Sequence, residues 1–535
     1  MAPAACAATG GATTGRRTSQ LLTLACALTL ASGPLVADLA STQASSRSVV
    51  LVSTLAGAEH SVEQSVAHLG GRVLRRLQVI DGFVARVPAN TLASIGHLAG
   101  VRWVTPNRQL ALQSQYGADS GVASAVYTDV VRASKTWSFG TNGTGVTVAL
   151  IDTGVNTTGD LAGQVLHAED FTPEQDNQDS YGHGTFVAGL IDGTGAASSG
   201  AVRGVAPGAK LVSLKIAGRD GGTDVVKVLE ALQWVVDFRA VYGIRIVNLS
   251  LGFQSKQSYL VDPLDFAVER VWNAGIVVVA AAGNGGSSSP SITDPGNDPM
   301  VITAGSDSDK TTLALSDDSV SSFSSSGPTV DGFAKPDVIA PGRSVVSSRS
   351  PGSAIDLANP NSEIGDSYAK ASGTSFATGI VSGAAALVLS RMPILTPNQV
   401  KYRVVSTARP ATATATPAGG AGVVDAFAAT MSISLASANT GLTPSVGGGS
   451  LQATRGPACL VDSSGTCLSD ADADALTGFD ESEYFSDSWA GSQWAGSQWA
   501  GSQWAGSQWV GSQWVGSQWV GSEWMSAPSQ EGDDR

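Results

Sequence analysis

The sequence predicts an α/β protein: a mostly parallel sheet with helices on both faces, preceded by a small ferredoxin-like α+β unit. Three observations carry this. Four runs of strand length, Val146–Asp152, Leu211–Ile216, Ile244–Leu249 and Ile276–Ala281, are apolar almost throughout and rich in β-branched residues, the pattern of strands buried on both faces. Segments with helical spacing alternate with them, and that alternation predicts parallel pairing. Upstream, strand, helix, strand, strand, helix and strand follow one another in the ferredoxin-like order.

Taken in order, the chain opens with Arg16-Arg17, an apolar run from Leu21 to Ala31, a break at Gly33-Pro34 and small residues near Ala37. That run is too short to span a bilayer and has the flanks of a secretory signal, here 1–37. No later stretch is apolar enough to be a transmembrane segment. Cys6 and Cys26 fall in the signal, leaving Cys459 and Cys467 as a pair suited to a small disulfide loop in an exported chain.

Residues 48–110 form the α+β unit. Val49–Val52, Arg72–Val79, Phe83–Val87 and Val101–Val104 read as strands, with a hairpin at Asp81-Gly82. Glu59–Leu69 and Leu92–Leu98 read as helices. His60, His68 and His97 all lie here and make poor catalytic candidates.

The α/β unit spans 134–430. Its first strand ends in Asp152-Thr153-Gly154, a carboxylate and a glycine turn at the sheet edge where open α/β folds place their sites. Thr223-Asp224 caps a helix whose Val225, Val228, Leu229, Leu232 and Val236 share one face. A further helix covers Asp265–Asn273, and the strand at Ile276–Ala281 ends at Gly283-Asn284. Gly373-Thr374-Ser375 opens a run of small and apolar residues to Leu389, too rich in Ala for a strand and suited to a closely packed buried helix. Gly373 supplies a tight turn, and Ser375 falls at the helix N-terminus, where free N–H groups favour developing negative charge. A serine there is most often only an N-cap. Thr396-Pro397 opens a late helix through Val405, and the unit closes near Ala429.

Two other segments change the reading of Ser375. Asp152 stands at a strand end, and His183 stands between glycines in Tyr181-Gly182-His183-Gly184-Thr185. Asp, His and Ser thus follow in that order, each at a glycine-marked junction. The chain resembles the subtilisin-like serine proteases (subtilases, peptidase family S8), whose triad has this order. The resemblance rests on Asp152-Thr153-Gly154, His183-Gly184-Thr185 and Gly373-Thr374-Ser375-Phe376-Ala377. Asn248-Leu249-Ser250-Leu251-Gly252 and Ala280-Ala281-Ala282-Gly283-Asn284 support it. An α/β-hydrolase would need Gly-x-Ser-x-Gly and a His after the Ser, and this chain has neither.

The resemblance implies a secreted serine endopeptidase acting on protein or peptide substrates. Asp152, His183 and Ser375 would be catalytic and Asn284 would serve the oxyanion hole. Ser250, Leu251 and Gly252 would bind substrate as an added strand. Asn248 matches a family position of less certain role. Residues 48–110 would be an inhibitory propeptide, the chain's own partner, cut between Gln109 and Lys135 in an autoprocessed zymogen. A histidine base would make the rate fall around pH 6–7. No cofactor is expected. Relatives often carry structural calcium, but Asp307-Ser308-Asp309 and Asp317-Asp318 lack the graded spacing of a calcium loop; they read as solvated loops, and no metal ligand is assigned.

Beyond the protease, Ala411–Gly420 and Ser445–Gly449 read as linkers, and 431–487 as linker followed by an acidic region. Then Trp489, Trp494, Trp499, Trp504, Trp509, Trp514, Trp519 and Trp524 recur every five residues, mostly as Gly-Ser-Gln-Trp, across 488–525. A step of five suits neither one helix face nor one strand face. The repeat is a flexible tail or an aromatic strip for cell-envelope contact or self-association. Net charge is −14, but twelve acidic residues against Arg535 lie from Gly456 onward. The acidity belongs to the tail and argues against a nucleic-acid partner. A binding scaffold without activity and a surface-assembly protein led by the tryptophans are the rival classes.

Overall fold

Alternate side chains of the N-terminal strands build two different cores. These strands are β1 (Arg47–Thr54), β2 (Arg72–Leu77), β3 (Gly82–Pro88) and β4 (Val101–Pro106). They form an antiparallel sheet in the order β2-β3-β1-β4, carrying α1 (Glu59–His68) and α2 (Leu92–Gly96). Val50, Val52, Phe83, Ala85 and Val87 point to the helices and meet Val62, Val66 and Ile95. Val49, Leu51, Val84 and Trp103 point the other way, into the main core of the protein, as the two-residue repeat of a strand requires. Asp81 takes the left-handed conformation at the expected hairpin. The computed structural model describes residues 47–449 except 108, 112–114, 117–124, 253–256, 288–290 and 411–415, together with 459–460 and 504–505.

The α+β unit is docked by specific polar contacts as well as by apolar area. The buried Val79 N–H donates to Gln233 Oε1 at 2.6 Å. Asn107 donates through Nδ2 to Asp224 Oδ1 and accepts the Val226 N–H, both at 3.0 Å. At the rim, Arg270 pairs with Asp81 at 2.7 Å.

Two short strands follow, β5 (Gln109–Ala111) and β6 (Gln115–Tyr116), and then α3 (Tyr127–Val130) and α4 (Ala133–Ser138). The main sheet is built from β7 (Thr147–Asp152), β8 (Val165–Asp170), β9 (Lys210–Lys215), β11 (Ile244–Leu249), β12 (Val277–Ala281), β13 (Ile302–Ser308), β14 (Ser319–Val320) and β15 (Val338–Pro341). Its order is β14-β13-β12-β11-β7-β9-β8, with β15 also on β13. Every pairing is parallel except β13 with β14. The chain leaves β7 toward β9 on one side and returns to β11 on the other, so β7 lies at the point where strand order reverses.

The remaining elements are α5 (His183–Asp192), β10 (Gly222–Asp224), α6 (Val225–Tyr242), α7 (Pro263–Asn273), β16 (Val345–Ser348), α8 (Ala354–Ala358), β17 (Glu363–Ile364), β18 (Tyr368–Ser372), α9 (Thr374–Arg391), α10 (Pro397–Ser406) and α11 (Ala426–Met431). Asp224 caps α6, and Thr396 with Gln399 forms a capping box on α10. Helix α9 is buried along the whole run from Thr374 to Leu389. Gly379 lies against Val187 and Gly383 against Val205, contacts that a larger side chain would block.

Several sequence expectations need correction. Helix α7 starts at Pro263, two residues early, because Asp262 caps it. Strands β8, β13 and β15–β18 were not anticipated: acidic, hydroxyl or basic residues interrupt most of them, and β15 is a run of only four residues ending in Pro341. Of the stretch read as a linker at 411–420, the described residues 416–420 belong to the unit, next to the bridges of Val423 to Arg409 and to Ile339. Residues 445–449 are not a linker either: Val446 and Gly449 donate to the carbonyls of Leu260 and Val261. The solvated reading of Asp307, Asp309 and Asp318 also fails, because all three are buried. The signal, Cys467, the acidic stretch and the tryptophan repeat lie outside the described residues, apart from the backbone pairing of Cys459–Leu460 with Trp504–Ala505. Among the described residues no helix is long and apolar enough to cross a membrane.

Candidate active site

Three elements bring the distant motifs to one sheet edge. Asp152 ends β7, His183 opens α5, and Ser375 is the second residue of α9. The His183 Nδ1–H donates to Asp152 Oδ1 at 2.7 Å, and both side chains are fully buried. That bond fixes the tautomer and leaves Nε2 as the acceptor. Nε2 is buried and has no hydrogen-bond partner. The imidazole lies beside Phe376, with ring centroids 5.7 Å apart, so it stands next to the start of α9.

Ser375 is not an N-cap. Gly373 holds that position with φ 162°, which is extended backbone and not the tight turn the sequence suggested. The Ser375 hydroxyl donates to the Ser250 carbonyl at 3.0 Å. Asp152 and His183 are thus already paired, while Ser375 points along the Ser250–Gly252 segment. Catalytic hydrogen bonds commonly tighten only when substrate arrives.

Asn284 is held by one end. Its Oδ1 accepts from the backbone N–H and the hydroxyl of Thr374, both at 3.0 Å. Its buried Nδ2 has no partner. A preorganised donor of this kind, at the start of α9, is suited to an oxyanion.

Ser250, Leu251 and Gly252 follow β11 directly, and all three are buried. The Ser250 hydroxyl donates to the Ser375 carbonyl at 2.8 Å, accepts from Asn248 Nδ2 at 2.8 Å, and Asn248 Oδ1 accepts from Ser382 at 2.9 Å. Asn248 therefore ties β11 to α9 and sets the position of Ser375. Gly252 is needed for a reason the sequence does not show. A Cβ there would collide with the Thr293 hydroxyl, and one on Gly283 would meet the Thr293 methyl at 2.5 Å. Thr293 thus sits between the Gly252 segment and the Asn284 turn.

Sequence reasoning missed Asp179. Its Oδ1 accepts from Thr153 Oγ1 at 2.7 Å and from the Gly182 N–H at 2.6 Å, and its Oδ2 accepts the Thr185 N–H at 2.7 Å. One carboxylate thereby joins the two turns that carry Asp152 and His183. Burial pushes its carboxyl above the usual range, against these hydrogen bonds. Its place four residues before His183 was the available signal. Gly184 is equally constrained, since a Cβ would strike the Gly154 carbonyl.

The inhibitor-like segment reaches this site through its backbone. β5 pairs antiparallel with β10, placing Thr223 opposite Leu110. β6 pairs antiparallel with β18, placing Ser372 opposite Gln115. β18 leads directly into Gly373 and Ser375, so β6 pairs with the strand that carries the nucleophile candidate.

Comparison with known proteins identifies the family. The subtilase family model matches residues 143–429, and a peptidase inhibitor domain model matches residues 31–107. The chain is 38% identical over 336 residues to serine protease AprX of Bacillus subtilis, covering 61% of this chain and 74% of that protein. It is 35% identical over 301 residues to subtilisin BL of Lederbergia lenta, covering 56% of this chain and 96% of that one. Among solved structures it is similar to fervidolysin of Fervidobacterium pennivorans, with TM-score 0.56 and 24% identity. That likeness covers 72% of this chain and 61% of the other, and it shows the fold alone.

Proposed function

The chain belongs to the subtilase family of serine endopeptidases, with an N-terminal inhibitor domain, and on that premise we propose that Asp152, His183 and Ser375 cleave peptide bonds as a triad. The observation that carries the proposal is the fully buried Asp152–His183 pair with an unpartnered Nε2. With substrate in place, the Ser375 hydroxyl leaves the Ser250 carbonyl and gives its proton to Nε2 as Oγ attacks the scissile carbonyl. Asp152 stabilises the imidazolium and is not itself protonated. Asn284 Nδ2 and the Ser375 N–H receive the oxyanion. His183 then hands the proton to the leaving amine, and water repeats the sequence on the acyl-enzyme. Ser250, Leu251 and Gly252 hold the substrate as an added strand.

The α+β unit acts as an inhibitory propeptide. The self-cleaved bond lies between Gln109 and Lys135, and the pairing of β6 with β18, which leads into Ser375, supports a position between Ala111 and Gln115. The leader directs the protein out of the cell. The tryptophan repeat contacts the cell envelope or a second copy; deletion of 488–525 is expected to abolish surface retention and leave peptide hydrolysis intact.

The test is Asp152→Asn beside the parent. Loss of the orienting carboxylate is expected to lower kcat by roughly 10⁴, as in Ser-His-Asp enzymes generally. N-terminal sequencing of the matured parent is expected to start between residues 112 and 115. A variant retaining parental kcat would remove Asp152 from the chemistry, and a mature N-terminus outside that window would overturn the assignment of the cut.

A further inference from the structure

One side chain fills the space between the two segments that would hold the scissile residue. These are 250–252, the strand that substrate would join, and 281–284, the turn that carries Asn284. Both present bare backbone to each other through Gly252 and Gly283, and Gly283 has φ 104°, in the left-handed region that favours glycine. Thr293 lies between them and is 3% exposed. A Cβ on Gly252 would collide with its hydroxyl, and one on Gly283 would meet its methyl at 2.5 Å. Both glycines thus already touch the same threonine.

Thr293 is held where it stands. Its N–H donates to the Ala282 carbonyl at 2.9 Å, and its own carbonyl accepts the Asn297 N–H at 3.0 Å. Its hydroxyl donates to the Ala281 carbonyl at 3.4 Å, and its branched Cβ restricts rotation about χ1. The walls are closed from outside as well. The Ser325 N–H donates to the Gly283 carbonyl at 2.9 Å, and a Cβ on Gly252 would lie 3.2 Å from the Asp294 carbonyl.

The consequence for substrate follows from strand geometry and rests on the triad reading. A scissile carbonyl placed between the Ser375 hydroxyl and the Asn284 amide belongs to a residue lying where the two segments meet. Alternate side chains of an added strand point to opposite faces, so this residue sends its side chain into the gap. We propose that Thr293 is the floor of the pocket for the residue on the acyl side of the scissile bond. It selects peptides with a small side chain there, alanine or serine, over those with leucine or phenylalanine. A close-packed floor leaves no void for a ring. A bulky side chain is stopped above it and lifts the carbonyl away from Ser375 and Asn284, which costs transition-state binding.

The test uses the full-length protein after self-processing, with peptide p-nitroanilides identical except for alanine, leucine or phenylalanine at that residue. The parent is expected to favour alanine over phenylalanine in kcat/KM by about tenfold or more, the scale on which a tight pocket sorts side chains by size. Thr293→Gly is expected to lower that ratio by about tenfold or more. Thr293→Val, which keeps the shape and drops the hydroxyl, is expected to preserve it. A parent that favours phenylalanine overturns the floor whether or not the variants fold, and so does a folded Thr293→Gly with the parental ratio. A parent that hydrolyses none of the anilides overturns the triad reading, and this inference with it.

Discussion

Asn284 is the residue whose local chemistry is most informative. Its oxygen accepts two hydrogen bonds from Thr374, and its buried amide nitrogen has no partner. Asn284→Ala is expected to lower kcat by roughly 10²–10³ with little change in KM; the magnitude is carried over from the corresponding donor of subtilisin and is not deduced from these distances. Steady-state hydrolysis of a peptide substrate checks it, and a rise in KM alone would make Asn284 a binding residue. The sequence singles out Asp152, His183, Ser375 and Asn284 because each stands at a glycine-marked junction, and the fold pairs Asp152 with His183 and Asn284 with Thr374. Asp179 and Asn248 were not legible in their roles. Their hydrogen bonds join segments that meet only in the fold, such as Asn248 with Ser382.

At the scale of elements, buried strands and capped helices were readable and mixed-polarity strands were not. β7, β9, β11 and β12 are apolar runs. β13 carries Asp307 inside a buried strand, and β18 carries Lys370, so pattern alone hides them. The linker readings failed because small residues can also lie flat on a surface, as 445–449 does against α7. The contact between the α+β unit and α6 gives a prediction. Gln233→Ala strands the buried Val79 N–H, and an unsatisfied buried donor costs about 1–3 kcal/mol. The cut propeptide is expected to leave roughly tenfold faster or more, read from the rate at which activity appears after processing. An unchanged release rate would mean that apolar contact alone holds the unit.

The whole molecule carries a pH signature outside its active site. Burial first, and the charges of Asp318 and Asp309 second, push the Asp307 carboxyl up to about 9. Burial, with Asp309 next, pushes Asp318 up to about 6. The folded state therefore holds these protons more tightly than the unfolded chain does. The stabilisation is complete below about pH 4 and is lost as pH rises through 6 and toward 9. In protein carrying Ser375→Ala, Tm is expected to fall between pH 5 and pH 9. Asp307→Asn is expected to flatten that fall, and an equally steep profile would show that Asp307 does not titrate in this window.

The central claim is that this zymogen uses Ser375 to cut first itself and then its substrates. The most direct measurement treats purified full-length protein and its Ser375→Ala variant with a serine-reactive fluorophosphonate probe on one gel. The parent is expected to lose a fragment of propeptide size and to label on the remaining chain, while the variant stays full length and unlabelled. A variant that is processed and labelled like the parent would contradict the account, because the nucleophile would then lie elsewhere.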